Sequence, residues 1–243
     1  MVEPLFRFDG EAIVGQELIL DGAEGHHAAN VRRLRVGEAI QLTDGKANHL
    51  RGVVAEVAPK SLVIKVTEAS RVEQPALSFG LVQALAKGDR DELAIQAATE
   101  LGVISVTPWQ AERSISRWDL AKAVKGVARW QQITDEAAKQ ALRPLFPVVQ
   151  PPKTSKEVAA LASEATLVVL DPTAESALID LPLPEVGRIE IVVGPEGGIS
   201  EQELQMFDQA GAKRVHMGSG ILRTSTAGVA AIAFLAGRQG LWR

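Results

Sequence analysis

Two glycine-rich segments carry residues that could bind a ligand, and the first occupies positions 193–200 with the sequence VGPEGGIS. Its glycines let backbone amides approach a ligand without obstruction by Cβ. Ser200 and Glu203 have the S-x-x-E spacing of a capping box, so the loop is predicted to lead directly into a helix. The preceding run is apolar, like a buried strand, and ligands of α/β sheets bind where such strands end. A tight turn without a ligand is the alternative.

The second segment, MGSGILRTSTA at positions 217–227, again lies between a predicted strand and a predicted helix. It offers flexible glycines, one cation at Arg223, and three hydroxyl side chains where the helix begins. The alternative is a hydroxyl-rich N-cap with Arg223 on the surface. Two such loops, each at the end of a buried strand, predict a shared pocket.

The composition excludes several kinds of chemistry. Cysteine is absent, so there is no disulfide scaffold, cysteine nucleophile, iron–sulfur cluster or thiolate zinc site. Tyrosine is absent as well. The four histidines lack metal-ligand spacing, and we therefore expect no metal. Neither loop matches a P-loop, and no Rossmann fingerprint or G-x-S-x-G elbow is present. A transfer reaction that depends on a reactive cofactor and on positioning remains.

The elements that must position these loops fall into two parts. Residues 1–72 contain short strand-like runs at 17–21, 39–44, 51–58 and 61–69 with one helical stretch near 26–34, as in a small β-barrel. From residue 77 onward strands alternate with helices, which predicts an α/β fold with a mostly parallel sheet. The longest predicted helix covers about 117–142, and the proline-rich stretch 144–153 is predicted to be a connector.

Charge and hydropathy bear on partners and location. The net charge is -4, yet the stretch 113–143 holds seven basic side chains against three acidic ones. This local excess indicates a face that meets phosphate, with a solvated helix face as the alternative. The amino terminus does not resemble a signal peptide, and the apolar stretch 227–237 is too short to span a membrane. We therefore expect a cytoplasmic protein without a membrane segment.

The two loop motifs together resemble the signature of SPOUT-class methyltransferases, in particular the RsmE-type enzymes that methylate uridine N3 in 16S rRNA. The resemblance extends through most of the chain. It includes His27, Val31, Arg33, Gly37 and Asp44-Gly45 in the first part, then Lys87, Gln96, the block 99–103, Pro108, 112–114, Trp130, Glu136-Ala137, Gln140 and Arg143. Arg32, Ala141 and Ser225 depart from the family's usual leucine, serine and acidic residue.

The resemblance implies a PUA-like RNA-binding barrel at 1–72 and a SPOUT methyltransferase domain with a carboxy-terminal trefoil knot at 73–243. It also implies a homodimer, S-adenosyl-L-methionine as cofactor, and the 16S rRNA of the small ribosomal subunit or its precursor as substrate. Two alternatives stay open. One is a SPOUT enzyme that acts on tRNA or on a ribose 2′-hydroxyl, and the other is a non-catalytic rRNA-binding assembly factor.

Site residues follow from the same resemblance and from the chemistry of uridine. The cofactor cleft is expected to be lined by Leu170, Gly194, Glu196, Gly198, Met217, Gly218, Ile221, Leu222 and Thr224. Deprotonated uridine carries negative charge on O2 and O4, which a fixed cation would stabilise. Arg223 is the candidate for this catalytic role, and a structural or phosphate-binding arginine is the alternative. RNA phosphates are expected to contact Arg32, Arg33, Arg35, Lys87, Arg113, Arg129 and Arg143.

Overall fold

The computed structural model describes residues 2–241 and divides them into two compact units. The first unit contains the chain up to Gln74 together with Asp135–Phe146. The second contains Pro75–Thr134 and the chain from Pro147 onward.

The first unit is built around one five-stranded sheet. Its elements are β1 (Leu5–Arg7), β2 (Glu17–Leu20), α1 (Gly22–His26), a π-helical turn (His27–Val31), β3 (Ala39–Thr43), β4 (Asn48–Ala58) and β5 (Ser61–Arg71). The strand order is β1-β3-β4-β5-β2, with β1 parallel to β3 and the other pairs antiparallel. Alternating side chains such as Leu42, Val54 and Ile64 point to one face and form the core of this unit.

The segment Asp135–Phe146 belongs to this first unit, although sequence reasoning placed it in a continuous domain 73–243. Lys139 is almost fully buried and donates hydrogen bonds from Nζ to Glu24 and Glu136. The amide of Phe146 donates to the carbonyl of Gly45 at 2.8 Å. Arg143 therefore lies in the first unit. The contacts with Glu24 and Gly45 join residues more than a hundred positions apart, so no local sequence pattern predicts them.

The second unit is a six-stranded parallel sheet with helices on both faces. Its elements are β6 (Leu77–Ala84), α2 (Arg90–Glu100), β7 (Ser105–Trp109), α3 (Leu120–Gln140, whose last residues belong to the first unit), β8 (Val148–Val149), α4 (Ser155–Ala160), β9 (Thr166–Leu170), β10 (Gly187–Val193), α5 (Glu201–Gln209), β11 (Lys213–Val215) and α6 (Thr224–Arg238). The strand order is β11-β9-β10-β6-β7-β8. One face packs against α2, α6 and Trp130 of α3, and the other packs against α4 and α5.

The predicted α/β fold and small β-domain are confirmed, and three short elements were missed. Strands β1 and β8 span three and two residues, too short to produce a periodic pattern. Strand β8 lies inside the segment predicted as a connector, so that prediction is wrong there. Helix α4 begins at a capping box formed by Thr154 and Glu157. No helix among residues 2–241 is long and apolar enough to cross a membrane.

Candidate cofactor and RNA site

The register of the parallel sheet brings both candidate loops to one edge. Val215, Leu170, Val193 and Gln83 are paired in one row across β11, β9, β10 and β6. Because all these strands run in the same direction, their carboxyl ends leave the sheet on the same side. The loop 194–200 therefore begins on one side of Leu170, and the loop that follows β11 begins on its other side. This is the edge at which ligands of α/β sheets bind.

The loop 194–200 is held from both sides by charged side chains. Glu196 accepts hydrogen bonds at Oε1 from the amide of Lys87 and from Nη1 of Arg90, both at 3.1 Å. Arg113 donates from Nη1 to the carbonyls of Gly197 at 3.3 Å and Ile199 at 3.5 Å. Glu196 was predicted to contact the cofactor and Arg113 to contact RNA. In the structure, both side chains hold the shape of this loop.

Glu203 anchors the start of α5 beneath the same loop. It completes the predicted capping box by accepting the Ser200 amide at 3.0 Å, while Ser200 caps the helix in return. Its other oxygen accepts from the Glu112 amide at 2.8 Å and from the Ser155 hydroxyl at 2.6 Å. A buried carboxylate with several donors is well satisfied. Glu203 therefore joins α4, α5 and the segment that carries Arg113.

The second loop is tied to the first by one hydroxyl group. Thr224, buried at the start of α6, donates from Oγ1 to the carbonyl of Gly194 at 3.0 Å. The same oxygen accepts a hydrogen bond from Nε2 of Gln83 at 2.8 Å. Since both hydrogen-bonding functions of Thr224 are used inside the protein, its side chain holds the two loops together. This differs from the direct cofactor contact expected of it.

The residues between Gly218 and Arg223 have backbone amides and apolar side chains that a ligand could contact. Within residues 2–241, the amides of 219–222 donate to no acceptor, and all four residues are exposed. Ile221 is 81 % exposed and Leu222 is 41 % exposed. A Cβ added to Gly218 or Gly220 would meet no atom within 4 Å. Free amides beside uncovered apolar side chains suit a ligand with an apolar ring and hydrogen-bonding edges, so this loop fits the expected nucleoside cofactor.

Leu170 is the last residue of β9 at this edge of the sheet, and Asp171 follows it. Asp171, directly after β9, accepts hydrogen bonds at Oδ2 from Nε and Nη2 of Arg214, and its other oxygen accepts the Thr173 amide. Burial opposes ionisation of Asp171, but the Thr173 amide and Arg214 outweigh it and keep the pKa of this carboxyl below its usual value. The carboxylate stays charged and ties β9 to β11 beside Met217, which is half-buried.

Arg223 is a cation of this site without a partner among residues 2–241. It occupies the N-cap position of α6, is exposed, and makes no side-chain hydrogen bond or ion pair among residues 2–241. Its guanidinium is therefore available to an anionic ligand, as the candidate catalytic role requires.

The seven candidate RNA-binding residues fall into two groups. Arg32, Arg33, Arg35 and Lys87 are exposed, and their charged ends have no partner within residues 2–241. The remaining three, Arg113, Arg129 and Arg143, are less available.

Two of these three have charges that are already engaged or buried. Arg129 forms two hydrogen bonds with Glu92 at 3.1 and 2.9 Å, and these raise the pKa of its guanidinium. Burial lowers the pKa of the Arg143 guanidinium, whose Nε is enclosed without a partner among the described residues. Among residues 2–241, the candidates whose charges are available to RNA phosphates are therefore chiefly Arg32, Arg33, Arg35 and Lys87.

Gln83, Glu203 and Asp171 shape this site, yet sequence reasoning did not single them out as site residues. Gln83 is the one polar side chain in the sequence run 79–86, which was a usable signal. Glu203 was noticed only as a helix cap. Its bonds to Glu112 and Ser155 depend on packing between segments distant in sequence.

Two family matches together span most of the chain. An RNA methyltransferase domain matches residues 73–236, and an RNA methyltransferase PUA domain matches residues 20–67. The curated protein "Ribosomal RNA small subunit methyltransferase E" of Mycobacterium tuberculosis is 38% identical over 237 residues, covering 96% of this chain and 90% of that protein. Its counterpart from Bacillus subtilis is 31% identical over 236 residues, covering 92% and 91%.

Solved structures give the same picture. A crystal structure of a ribosomal RNA small subunit methyltransferase E from Neisseria gonorrhoeae, bound to S-adenosyl methionine, is 32% identical with a TM-score of 0.87. A putative methyltransferase from Legionella pneumophila, in complex with the same cofactor, is 28% identical with a TM-score of 0.88. Each alignment covers 98% of this chain and 98% of the other.

Proposed function

The chain belongs to the ribosomal RNA small subunit methyltransferase E family, and we propose that it transfers a methyl group from S-adenosyl-L-methionine to N3 of a uridine in 16S rRNA. The observation that carries this proposal is the open apolar loop 218–222 beside the guanidinium of Arg223, which has no partner in the described part of the chain. Such a pair of features suits a nucleoside cofactor next to an acceptor that becomes negatively charged.

The cofactor is proposed to lie along the edge formed by Leu170, Gly194 and the loop 217–222. The amides of 219–222, which donate to no acceptor among the described residues, would bind polar edges of its base, and Ile221 and Leu222 would flank the ring. When bound, S-adenosylmethionine supplies a methyl group on a positively charged sulfur, which is already activated for transfer. The protein then mainly has to hold the acceptor atom close and aligned, a contribution of up to about 7–11 kcal/mol.

Arg223 is proposed to stabilise the uridine anion. N3 of uridine carries a proton at neutral pH, and its electron pair is available only when that proton leaves. The negative charge then spreads to O2 and O4, where a fixed cation lowers its free energy. The guanidinium can bind two oxygen atoms at once. Arg223 is the N-cap residue of α6, and the next residue, Thr224, is hydrogen-bonded to the carbonyl of Gly194.

The substrate RNA is proposed to be the small ribosomal subunit or its precursor, with phosphate contacts from Arg32, Arg33, Arg35 and Lys87. These cations are exposed and unpaired among residues 2–241, whereas the whole chain has a net charge of -4. A few free cations on an acidic protein favour recognition of one assembled RNA shape over general RNA affinity. The target base must leave its stack to reach the sheet edge.

A homodimer working in the cytoplasm completes the proposal. Helices α2 and α6 pack against each other, and both expose a large apolar side chain, Leu93 at 51 % and Phe234 at 38 %. Light scattering of the purified protein tests this part, since a dimer has twice the mass of the 25.9 kDa chain.

The experiment that tests the activity supplies purified protein with methyl-labelled S-adenosylmethionine and four separate substrates. These are small-subunit particles, free 16S rRNA, a short RNA hairpin and bulk tRNA. The proposal predicts labelled 3-methyluridine from particles, with a rate that falls as salt increases, and little label in the hairpin.

Each alternative has its own signature in the same experiment. Label in tRNA or on a ribose 2′-hydroxyl means that the substrate assignment is wrong. Particle binding without cofactor binding and without label identifies a non-catalytic assembly factor.

A further inference from the structure

We propose that Gln83, which lies outside both loop motifs, is a positioning residue that sets the distance between the Gly194 loop and the Arg223 loop. Gln83 is 0% exposed at the end of β6, and its side chain faces the start of α6. The inference deepens the proposed function and rests on it, because the two loops it joins are the ones assigned to cofactor and acceptor.

The direction of the hydrogen bonds is fixed by chemistry. The carbonyl of Ala84 can only accept, so the group of Gln83 that lies 3.2 Å from it is the amide nitrogen Nε2. The same nitrogen donates to Oγ1 of Thr224 at 2.8 Å. The Thr224 proton is then left for the carbonyl of Gly194 at 3.0 Å. A reversed amide would place two acceptors face to face.

The hydrogen bonds from Gln83 to Thr224 and from Thr224 to Gly194 connect the two candidate loops. Thr224 directly follows Arg223, and Gly194 begins the loop that contains Gly198. One turn further along α6, Gly228 packs so closely that an added Cβ would lie 2.8 Å from Leu81 and 3.0 Å from Val193. The helix therefore has a close apolar contact at one point and the Gln83 chain at its first residue. Together they fix where Arg223 and Leu222 leave the sheet.

A feature unfavourable for stability argues that Gln83 serves the site. Its Oε1 is buried without a hydrogen-bond partner among the described residues. Leaving a buried carbonyl unpaired is costly, and an apolar side chain of similar length would avoid the loss. Gln83 is thus poorly explained as a purely structural residue. It is well explained as the donor that orients Thr224.

The test compares Thr224→Val, which removes the hydroxyl with little change in shape, with Thr224→Ser, which keeps it. Gln83→Met removes the donor, and a double variant combines Gln83→Met with Thr224→Val. Thr99→Val is the matched control, because Thr99 is also buried and its hydroxyl donates within α2, to the carbonyl of Ile95 at 2.7 Å.

Cofactor affinity is measured by calorimetry with S-adenosylmethionine alone. We expect Thr224→Val and Gln83→Met each to weaken binding about tenfold and to raise KM for the cofactor more than they lower kcat. Thr224→Ser should bind the cofactor about as tightly as wild type. The affinity of the double variant should be close to that of whichever single variant binds more weakly, because both changes break the same hydrogen-bond chain. Unchanged affinity in both single variants overturns the proposal. So does an equal loss in Thr99→Val, since that identifies general destabilisation.

A readout without cofactor separates this inference from the proposed function. The amides of Gly198 and Ala227 donate to the carbonyls of Pro195 and Arg223. Their hydrogen exchange in the free protein should become faster in Thr224→Val and Gln83→Met and stay unchanged in Thr99→Val. If wild type binds no S-adenosylmethionine, the proposed function fails, while exchange still decides the positioning. Unchanged exchange at both amides contradicts the role of Gln83.

Discussion

Replacing Glu190 with Gln is expected to stabilise the second unit at pH 8 and to have little effect near pH 4. Glu190 lies in the middle of β10, is 2% exposed, and has one carboxylate oxygen without a hydrogen-bond partner among the described residues. Its other oxygen lies 3.0 Å from Nε of Arg188 and 3.4 Å from the hydroxyl of Ser105. The Arg188 contact is an ion pair whose geometry is not that of a hydrogen bond.

The magnitude follows from the pKa. Burial raises the pKa of Glu190 from 4.5 to about 7, although Arg188 and Ser105 act in the opposite direction. The folded protein therefore holds this proton more tightly than the unfolded chain. The resulting stability is fully present below pH 4.5 and is lost as the pH rises to about 7. Each pH unit in this window contributes about 1.4 kcal/mol, so the loss amounts to about 3 kcal/mol.

Urea unfolding at several pH values, followed by tryptophan fluorescence, measures this loss. Trp109, Trp118 and Trp130 all lie in the second unit, as Glu190 does. The variant should lack the fall between pH 4.5 and 7 and should exceed wild type by up to about 3 kcal/mol at pH 8. Glu164→Gln is the control, because that exposed carboxylate lies 3.8 Å from the same arginine. A Gln variant that is less stable than wild type at pH 8 would refute the reasoning, since the Arg188 ion pair would then outweigh burial.

Three further predictions concern catalysis, RNA binding and packing. Arg223→Ala should lower turnover at least about a hundredfold and change cofactor affinity less than threefold, by single-turnover kinetics and calorimetry; lost affinity with an intact rate contradicts its catalytic role. Arg33→Ala should make particle binding less salt-dependent, with a log–log slope shallower by about 0.7–0.9, whereas Arg129→Ala should change the slope little because Glu92 already neutralises it. Gly228→Ala should lower the free energy of unfolding by about 1 kcal/mol, since overpacking exceeds the gain in helix propensity; increased stability in a urea titration would show that the helix can shift.

Much of the fold could be predicted because its signals are local. Strand β10 ends in the apolar run 191–193 with a glycine after it, and the capping box at Ser200 and Glu203 starts α5 where the sequence predicted. Two glycine-rich segments after buried strands were enough to identify the family, and that identification is confirmed by the relatives. Parallel strands then oblige both loops to leave the same edge of the sheet.

The remaining features depend on partners that are distant in sequence. Arg113 and Arg129 both read as free cations, yet one bonds the carbonyls of the glycine-rich loop and the other is held by Glu92. Asp135–Phe146 continues a predicted helix and nevertheless packs in the first unit. Glu190 is a charged residue inside a run that the sequence predicts to be a buried strand. Only the surrounding sheet shows that its carboxyl group is buried.

The proposed activity is tested most directly by nucleoside mass spectrometry of rRNA from cells with and without this protein. We predict that 3-methyluridine disappears from small-subunit rRNA in the absence of the protein, while the other methylated nucleosides remain. Persistence of 3-methyluridine with loss of a different methylated nucleoside would contradict the proposed target. An unchanged set of nucleosides would contradict the methyltransferase activity itself.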